Sequence, residues 1–151
     1  GIIAIMLAQR AIEAQVLGVE LEENAAIQAS SNMAGSPFSN RMEAILESAQ
    51  EFASHSDNKR KFDLVVCNPP YFHGKPKSPD QARNLARHDE SLPLKELLVA
   101  AHEIMRPNGT LALAWPMDRK EKLMQESLGM GLALTRYCEI AGTTNHEPKR
   151  F

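Results

Sequence analysis

Asn68-Pro69-Pro70-Tyr71 follows directly on an apolar run, Phe62 to Cys67. Prolines have a fixed φ and no N–H donor. The Pro69 carbonyl therefore points outward without an obvious ladder partner, and the Asn68 side-chain carbonyl lies beside it. Tyr71 adds a flat ring. Two acceptors and a stacking face suit a planar group carrying an exocyclic NH2, because both amine hydrogens can be held while the ring lies on Tyr71. Held in this way, the nitrogen lone pair turns out of conjugation and toward an electrophile. No base is needed before the attack, and catalysis becomes orientation and electrostatics. The competing reading is a rigid polar corner. A corner does not ask for Asn before the prolines and an aromatic after them at the end of a buried strand.

The elements that position this tetrapeptide alternate in type. Ile2 to Arg10 has helical period, with Ile2, Ile3, Met6 and Leu7 on one face. A short strand ends at Glu20. Glu22 to Ala34 reads as a helix with acids in its first turn and Gly35 past its end. "MEAIL" is a strand, followed by a short helix around Gln50 to Ala53. "FDLVVC" reads as a central parallel strand covered on both faces. Leu94 to Met105 is a helix with Leu94, Leu97, Leu98, Ala101 and Met105 on one face, broken by "RPNG". "TLALAW" is a strand, Asp118 to Leu128 a helix capped by Asp118, and "GLALTRYCEI" alternates as an antiparallel edge strand does. The expected fold is α/β, with a doubly wound, mainly parallel sheet and an antiparallel edge hairpin.

In such sheets ligands bind beyond the C-terminal strand ends. Asn68 and Glu20 both fall at such ends. An acid at the end of the second strand can accept hydrogen bonds from ribose hydroxyls, and it can equally be a favourable first-turn charge for the helix that follows.

The 151 residues are 43% apolar and 24% charged, with a formal net charge of −2. That charge excludes a protein gripping nucleic acid through its overall basicity, so any such contact must be local. Cys67 and Cys138 have no second cysteine near them. They fit neither a zinc site nor a disulfide framework and read as small core hydrophobes of a reducing compartment. Five histidines show no ligand spacing, and no metal is expected. No apolar run approaches the ~20 residues of a membrane span, and a cytoplasmic location is expected. The chain opens at Gly1 inside what reads as a helix and stops at Phe151 as though a strand were beginning. A single domain, 1–151, truncated at both ends is the expectation.

"DLVVCNPPYF" resembles the motif of S-adenosylmethionine-dependent methyltransferases that act on planar nitrogens. "GIIAIMLAQR" is similar to the tail of their glycine-rich donor loop and its helix, and "VLGVELEENAAIQA" to their second strand. "SPDQARNLARHDESLPLKELL" and "EPKRF" resemble the bacterial tRNA (adenine-N6)-methyltransferases that modify the adenine beside the anticodon of a valine tRNA. The resemblance implies a Rossmann-like class I fold, with the first strand outside this chain. It implies S-adenosylmethionine as methyl donor, transfer to the N6 amine of an adenine, and a tRNA partner for a monomeric enzyme. Asn68, Pro69, Pro70 and Tyr71 would hold and stack the target adenine. Gly1, Glu20 and Asn68 would line the donor, together with Ser48, which stands where family members often carry an aspartate. Without its first strand, residues 1–151 alone are expected to bind the donor poorly.

Local basic patches at Lys75 and Lys77, Arg83 and Arg87, and Lys149 and Arg150 could meet RNA phosphates, or be solvated surface charge. Lys59 to Lys61 precedes the "FDLVVC" strand and reads as surface at the opposite edge. The rival functions are glutamine-N5 methylation of a peptide-release factor, guanine-N2 methylation of ribosomal RNA, DNA adenine methylation, and a non-catalytic RNA-binding domain.

Overall fold

Glu22 starts one helix and Ser48 another, and both do so with their own side chains. The Glu22 carboxylate accepts the N–H groups of Asn24 at 3.1 Å and Ala25 at 2.7 Å, satisfying two of the orphan donors of α2 (Glu23–Ala34). Ser48 and Glu51 form a reciprocal capping box at α3 (Ala49–Ser54). The computed structural model describes residues 1–69, 92–143 and 147–151, in two compact units, Gly1–His55 and Ser56–Phe151.

In the first unit, α1 (Ile2–Arg10) leads into β1 (Val16–Glu20). After α2, the chain returns through a 3-10 turn to β2 (Met42–Leu46), which pairs parallel with β1 from Val16↔Met42 to Glu20↔Leu46. The buried face of α2 is Ala26, Ala29 and Met33, the i, i+3, i+7 row that helical period supplies. Met33 Cε lies 3.0 Å from where a Cβ on Gly18 would stand, so the strand glycine leaves room for the methionine tip. Gly1 does the same for two helices: its virtual Cβ is 3.2 Å from Ala29 Cα. The expected apolar face of α1 is not its packed face among the described residues. Ala8 is fully buried, whereas Ile2 is 68% exposed.

The Arg41 guanidinium ties this unit together. It donates to the carbonyls of Ala8 (2.9 Å), Ala11 (3.1 Å) and Ala14 (2.7 Å), and lies 5.7 Å from the Phe38 ring centroid. These carbonyls are the C-terminal turn of α1 and its exit, where a cation meets the negative end of the helix dipole.

In the second unit, β3 (Phe62–Cys67) pairs parallel with β4 (Met105–Leu113). Between them runs α4 (Leu94–Ile104), whose buried residues are Leu94, Leu97, Leu98, Ala100 and Ala101. Met105 is not the last helical residue. It is the buried first residue of β4, so helix passes to strand without a loop. "RPNG" then forms a bulge. The register jumps from Phe62↔Met105 to Leu64↔Thr110, with Asn108 at φ 66°. Gly109 is required there, because a Cβ would stand 2.9 Å from the Arg106 carbonyl oxygen.

Leu94, Leu97, Leu98, Trp115 and Leu123 make the core of this unit, with Cys67, Leu111, Leu113 and Phe151 packed against it. Within the second unit, the described helices pack on the face of Cys67, Leu111 and Leu113, and on the other face of β3 Leu64 is 45% and Val66 36% exposed. Asp118 is not at the cap position of the last helix. It lies in a 3-10 turn, Met117–Arg119, and Arg119 holds the cap position of α5 (Lys120–Gly129).

The expected edge strand at 131–140 is not a regular strand; antiparallel pairing appears as the bridges Pro116↔Arg150 and Ile140↔Arg150. Cys138, expected in the core through that strand, is exposed, whereas Cys67 is half-buried. Burial pushes the Cys67 thiol up to about 11, which leaves it uncharged and inert at neutral pH. No helix among the described residues is long and apolar enough to cross a membrane.

Candidate functional site

The C-terminal ends of the parallel strands carry the candidate residues in both units. In the first, Glu20 is the last residue of β1. Its Oε1 accepts the Glu22 N–H at 3.2 Å, and its backbone carbonyl accepts the Glu47 N–H at 3.0 Å. The strand end is thereby fixed at both carbonyl and carboxylate, and the half-buried side chain still has Oε2 for a hydroxyl partner.

Ser48 lies just past the end of β2. Its Oγ donates to Glu51 Oε2 at 2.7 Å and accepts the Glu51 N–H at 3.1 Å. The hydroxyl proton is therefore committed to the cap, and only an acceptor lone pair remains for a ligand. The Ser48 hydroxyl, then its backbone N–H, hold the Glu51 carboxyl below the ordinary glutamate range. Gly1 is the cap residue of α1, and a glycine has no side chain to cap the first N–H groups of the helix.

In the second unit, Asn68 follows the last residue of β3 and is exposed. The strand end behind it is secured: the Cys67 carbonyl accepts the Ala114 N–H at 3.1 Å, continuing the β3–β4 ladder to its last residue. Pro69 is half-buried. Pro70 and Tyr71 lie outside the described residues, as do Lys75, Lys77, Arg83 and Arg87.

Lys149 and Arg150 are described and exposed. Their segment pairs with the chain just past the end of β4: Trp115 and Phe151 exchange backbone hydrogen bonds of 2.7 and 2.9 Å. The structure thus brings Asn68, Lys149 and Arg150 to one end of the β3–β4 sheet. Lys59 to Lys61 sits at the other end, as expected. The Lys59 ammonium pairs with Glu103, and the Arg60 and Lys61 N–H groups donate to the carbonyls of Glu103 and Ile104. Among the described residues, no group of three His, Cys, Asp or Glu side chains could hold a metal.

Tyr137 and Lys120 were missed by sequence reasoning. Lys120 Nζ lies 4.0 Å from the Tyr137 ring centroid at this same sheet end. A tyrosine inside an expected edge strand gives no sequence signal of that placement; the "EPKRF" ending, which must pair with something, was the available clue.

Residues 1–137 match the family described as "Methyltransferase small domain". Curated relatives named "tRNA1(Val) (adenine(37)-N6)-methyltransferase" are 43% identical in Porphyromonas gingivalis strain W83, 37% in Parabacteroides distasonis and 33% in Flavobacterium psychrophilum. These alignments take in 99–100% of this chain and 60–63% of the relatives' lengths. A crystal structure of a predicted O-methyltransferase from Agrobacterium tumefaciens superposes with a TM-score of 0.60 at 18% identity, covering 82% of this chain and 53% of that one.

Proposed function

Since the chain belongs to the methyltransferase small domain family, with its Rossmann-like class I fold, we propose that it transfers a methyl group to the N6 amine of an adenine in tRNA, beside the anticodon of a valine tRNA. The observation that carries this reading is Asn68. It presents an exposed carboxamide past the C-terminal end of a parallel strand and continues into Pro69, Pro70 and Tyr71. The relatives' names support the substrate.

The donor is S-adenosylmethionine, which supplies an electrophilic methyl group. The residues on the first unit fit such a ligand: Glu20 has a carboxylate oxygen for ribose hydroxyls, Ser48 an acceptor lone pair, and Gly1 stands at the start of a helix. At the acceptor, the Asn68 and Pro69 carbonyls take the two amine hydrogens and Tyr71 stacks on the ring. This pair of bonds would turn the nitrogen lone pair toward the bound donor, which would give up its methyl group and keep the S–C bonding pair on sulfur. The amine would become acidic only with that transfer, so its proton would pass to solvent beside Asn68 afterwards. Lys75, Lys77, Arg83, Arg87, Lys149 and Arg150 hold phosphates of the RNA. The enzyme acts in the cytoplasm as a monomer and uses no metal.

The test is one reaction of the whole protein with labelled S-adenosylmethionine, unmodified total tRNA and unmodified release factor, read by nucleoside and peptide mass spectrometry. N6-methyladenosine in tRNA is the expected product. Label on a glutamine side chain would keep the roles of Asn68 to Tyr71 and overturn the substrate.

A further inference from the structure

The last residues of the chain are pinned on both edges. Along one edge, Trp115 and Phe151 exchange backbone bonds and the Met117 N–H donates to the Lys149 carbonyl at 3.1 Å. Along the other, the Ile140 N–H donates to the Arg150 carbonyl at 2.9 Å and the Lys149 N–H to the Ile140 carbonyl at 3.1 Å. Two exposed basic side chains are thereby fixed at the sheet end that carries Asn68. Strand alternation places Lys149 on the Phe151 side of this segment.

That side holds an aromatic pair and a second cation. Tyr137 and Phe151 have ring centroids 5.4 Å apart at 50°. Lys120 Nζ lies 4.0 Å from the Tyr137 centroid and 5.7 Å from that of Phe151. Among the described residues, none of Lys120, Lys149 and Arg150 is in an ion pair. Glu139, bound by the Tyr137 hydroxyl at 2.5 Å, and the exposed Glu147 moderate the local charge. The patch therefore suits one or two phosphates rather than a long backbone track.

Tyr137 is 38% exposed. A cation–π cluster serving stability alone would gain by burying that ring. An exposed aromatic beside cations that pair with no described acid, at the ligand-binding end of a parallel sheet, has the makeup of a single-strand nucleic-acid site. There a base stacks on the ring and cations neutralise its phosphates.

We propose that Tyr137, Lys120 and Lys149 form a subsite for an unpaired nucleotide flanking the target adenine, with Tyr137 stacking on its base and the two cations holding its phosphates. The inference rests on tRNA being the substrate.

Binding of a fluorescent, unmodified anticodon stem-loop to the whole protein, measured over a salt series, tests it. Lys120→Gln should flatten the slope of log K against log salt by about 0.7 to 0.9. Tyr137→Leu should weaken binding roughly 5- to 100-fold at fixed salt with the slope kept, and Tyr137→Phe should bind as wild type. Donor affinity and thermal midpoint should be unchanged in Lys120→Gln, separating contact from folding. If wild type methylates the stem-loop and both Lys120→Gln and Tyr137→Leu bind it normally, the subsite is overturned and the substrate reading stands. If wild type neither binds nor methylates RNA, the substrate reading fails and the subsite with it. If the variants instead lose methylation of a release-factor protein, the patch docks a protein and the proposal is overturned.

Discussion

Replacing Arg41 should loosen the first unit more than any other surface substitution in it. The guanidinium makes three charge-assisted bonds to carbonyls at and beyond the C-terminus of α1, two part-buried (Ala8, 2.9 Å; Ala14, 2.7 Å) and one exposed (Ala11, 3.1 Å). In Arg41→Met the stem packing is largely kept and the donors vanish. The two part-buried bonds are each worth about 1 to 1.5 kcal/mol, the exposed one close to nothing, and the loss of the cation at the helix terminus adds about 0.3 to 1 kcal/mol. The sum is about 2 to 4 kcal/mol. Arg41→Lys keeps the charge but reaches fewer carbonyls with a point-like ammonium, so about half of that loss is expected. Urea unfolding followed by far-UV circular dichroism, with wild type and both variants compared at equal m-value, measures the differences. A loss below about 0.5 kcal/mol in Arg41→Met would refute the reasoning, since two bonds of that geometry cannot be replaced by water at part-buried carbonyls without cost. So would equal stability of the Arg and Lys forms, because planar fork geometry would then not matter.

Two glycines should respond oppositely to alanine. Gly109→Ala pushes a methyl to 2.9 Å from a backbone oxygen inside the β4 bulge and should cost about 1 to 3 kcal/mol, whereas Gly18→Ala meets only the flexible tip of Met33 at 3.0 Å and should stay within about 0.5 kcal/mol of wild type; chemical unfolding of both variants decides. Thiol titration at pH 8 should label Cys138 rapidly and Cys67 slowly, because Cys138 is exposed and the Cys67 thiol is pushed to about 11; equal rates would mean the end of β3 opens freely. Glu22 is held below the ordinary glutamate value by the Ala25 and then the Asn24 N–H groups, and Glu51 by the Ser48 hydroxyl and N–H. With folded pKa values depressed, their stabilisation is complete above the unfolded pKa of about 4.3 and lost as pH falls through the lower folded values. The stability gap between wild type and Glu22→Gln/Glu51→Gln should therefore be full at neutral pH and close as pH falls below the ordinary glutamate range; a gap independent of pH would refute the assignment.

How much was legible beforehand follows from the range over which each signal acts. Helix starts are local: Glu22 and Ser48 sit where acids and hydroxyls reach N–H groups two or three residues on, and α2 and α3 begin there. The Phe62–Cys67 run and the Leu94 face of α4 were read correctly because period and β-branched content are properties of short windows. Asn68 and Glu20 stand at C-terminal strand ends as read, since both follow directly on their strands. Two misreadings share one cause. Alternation in "GLALTRYCEI" cannot reveal whether a neighbour will pair with it, and among the described residues it pairs through the bridge Ile140↔Arg150; Cys138 lost its expected burial for the same reason.

The sequence by itself determined the order of the helices and parallel strands and the polar tetrapeptide at a strand end, all of which depend on neighbours a few residues apart. Only the tertiary structure decided that Arg41 would clasp a helix end some 30 positions away, that "RPNG" would bulge rather than simply break the chain, and that the closing Lys149-Arg150-Phe151 would join Lys120 and Tyr137 at the Asn68 end of its sheet. The reason is physical. Pairing register and side-chain contacts between distant segments are set by which backbone groups remain unsatisfied once the local elements have formed, and that remainder is known only when the chain is folded.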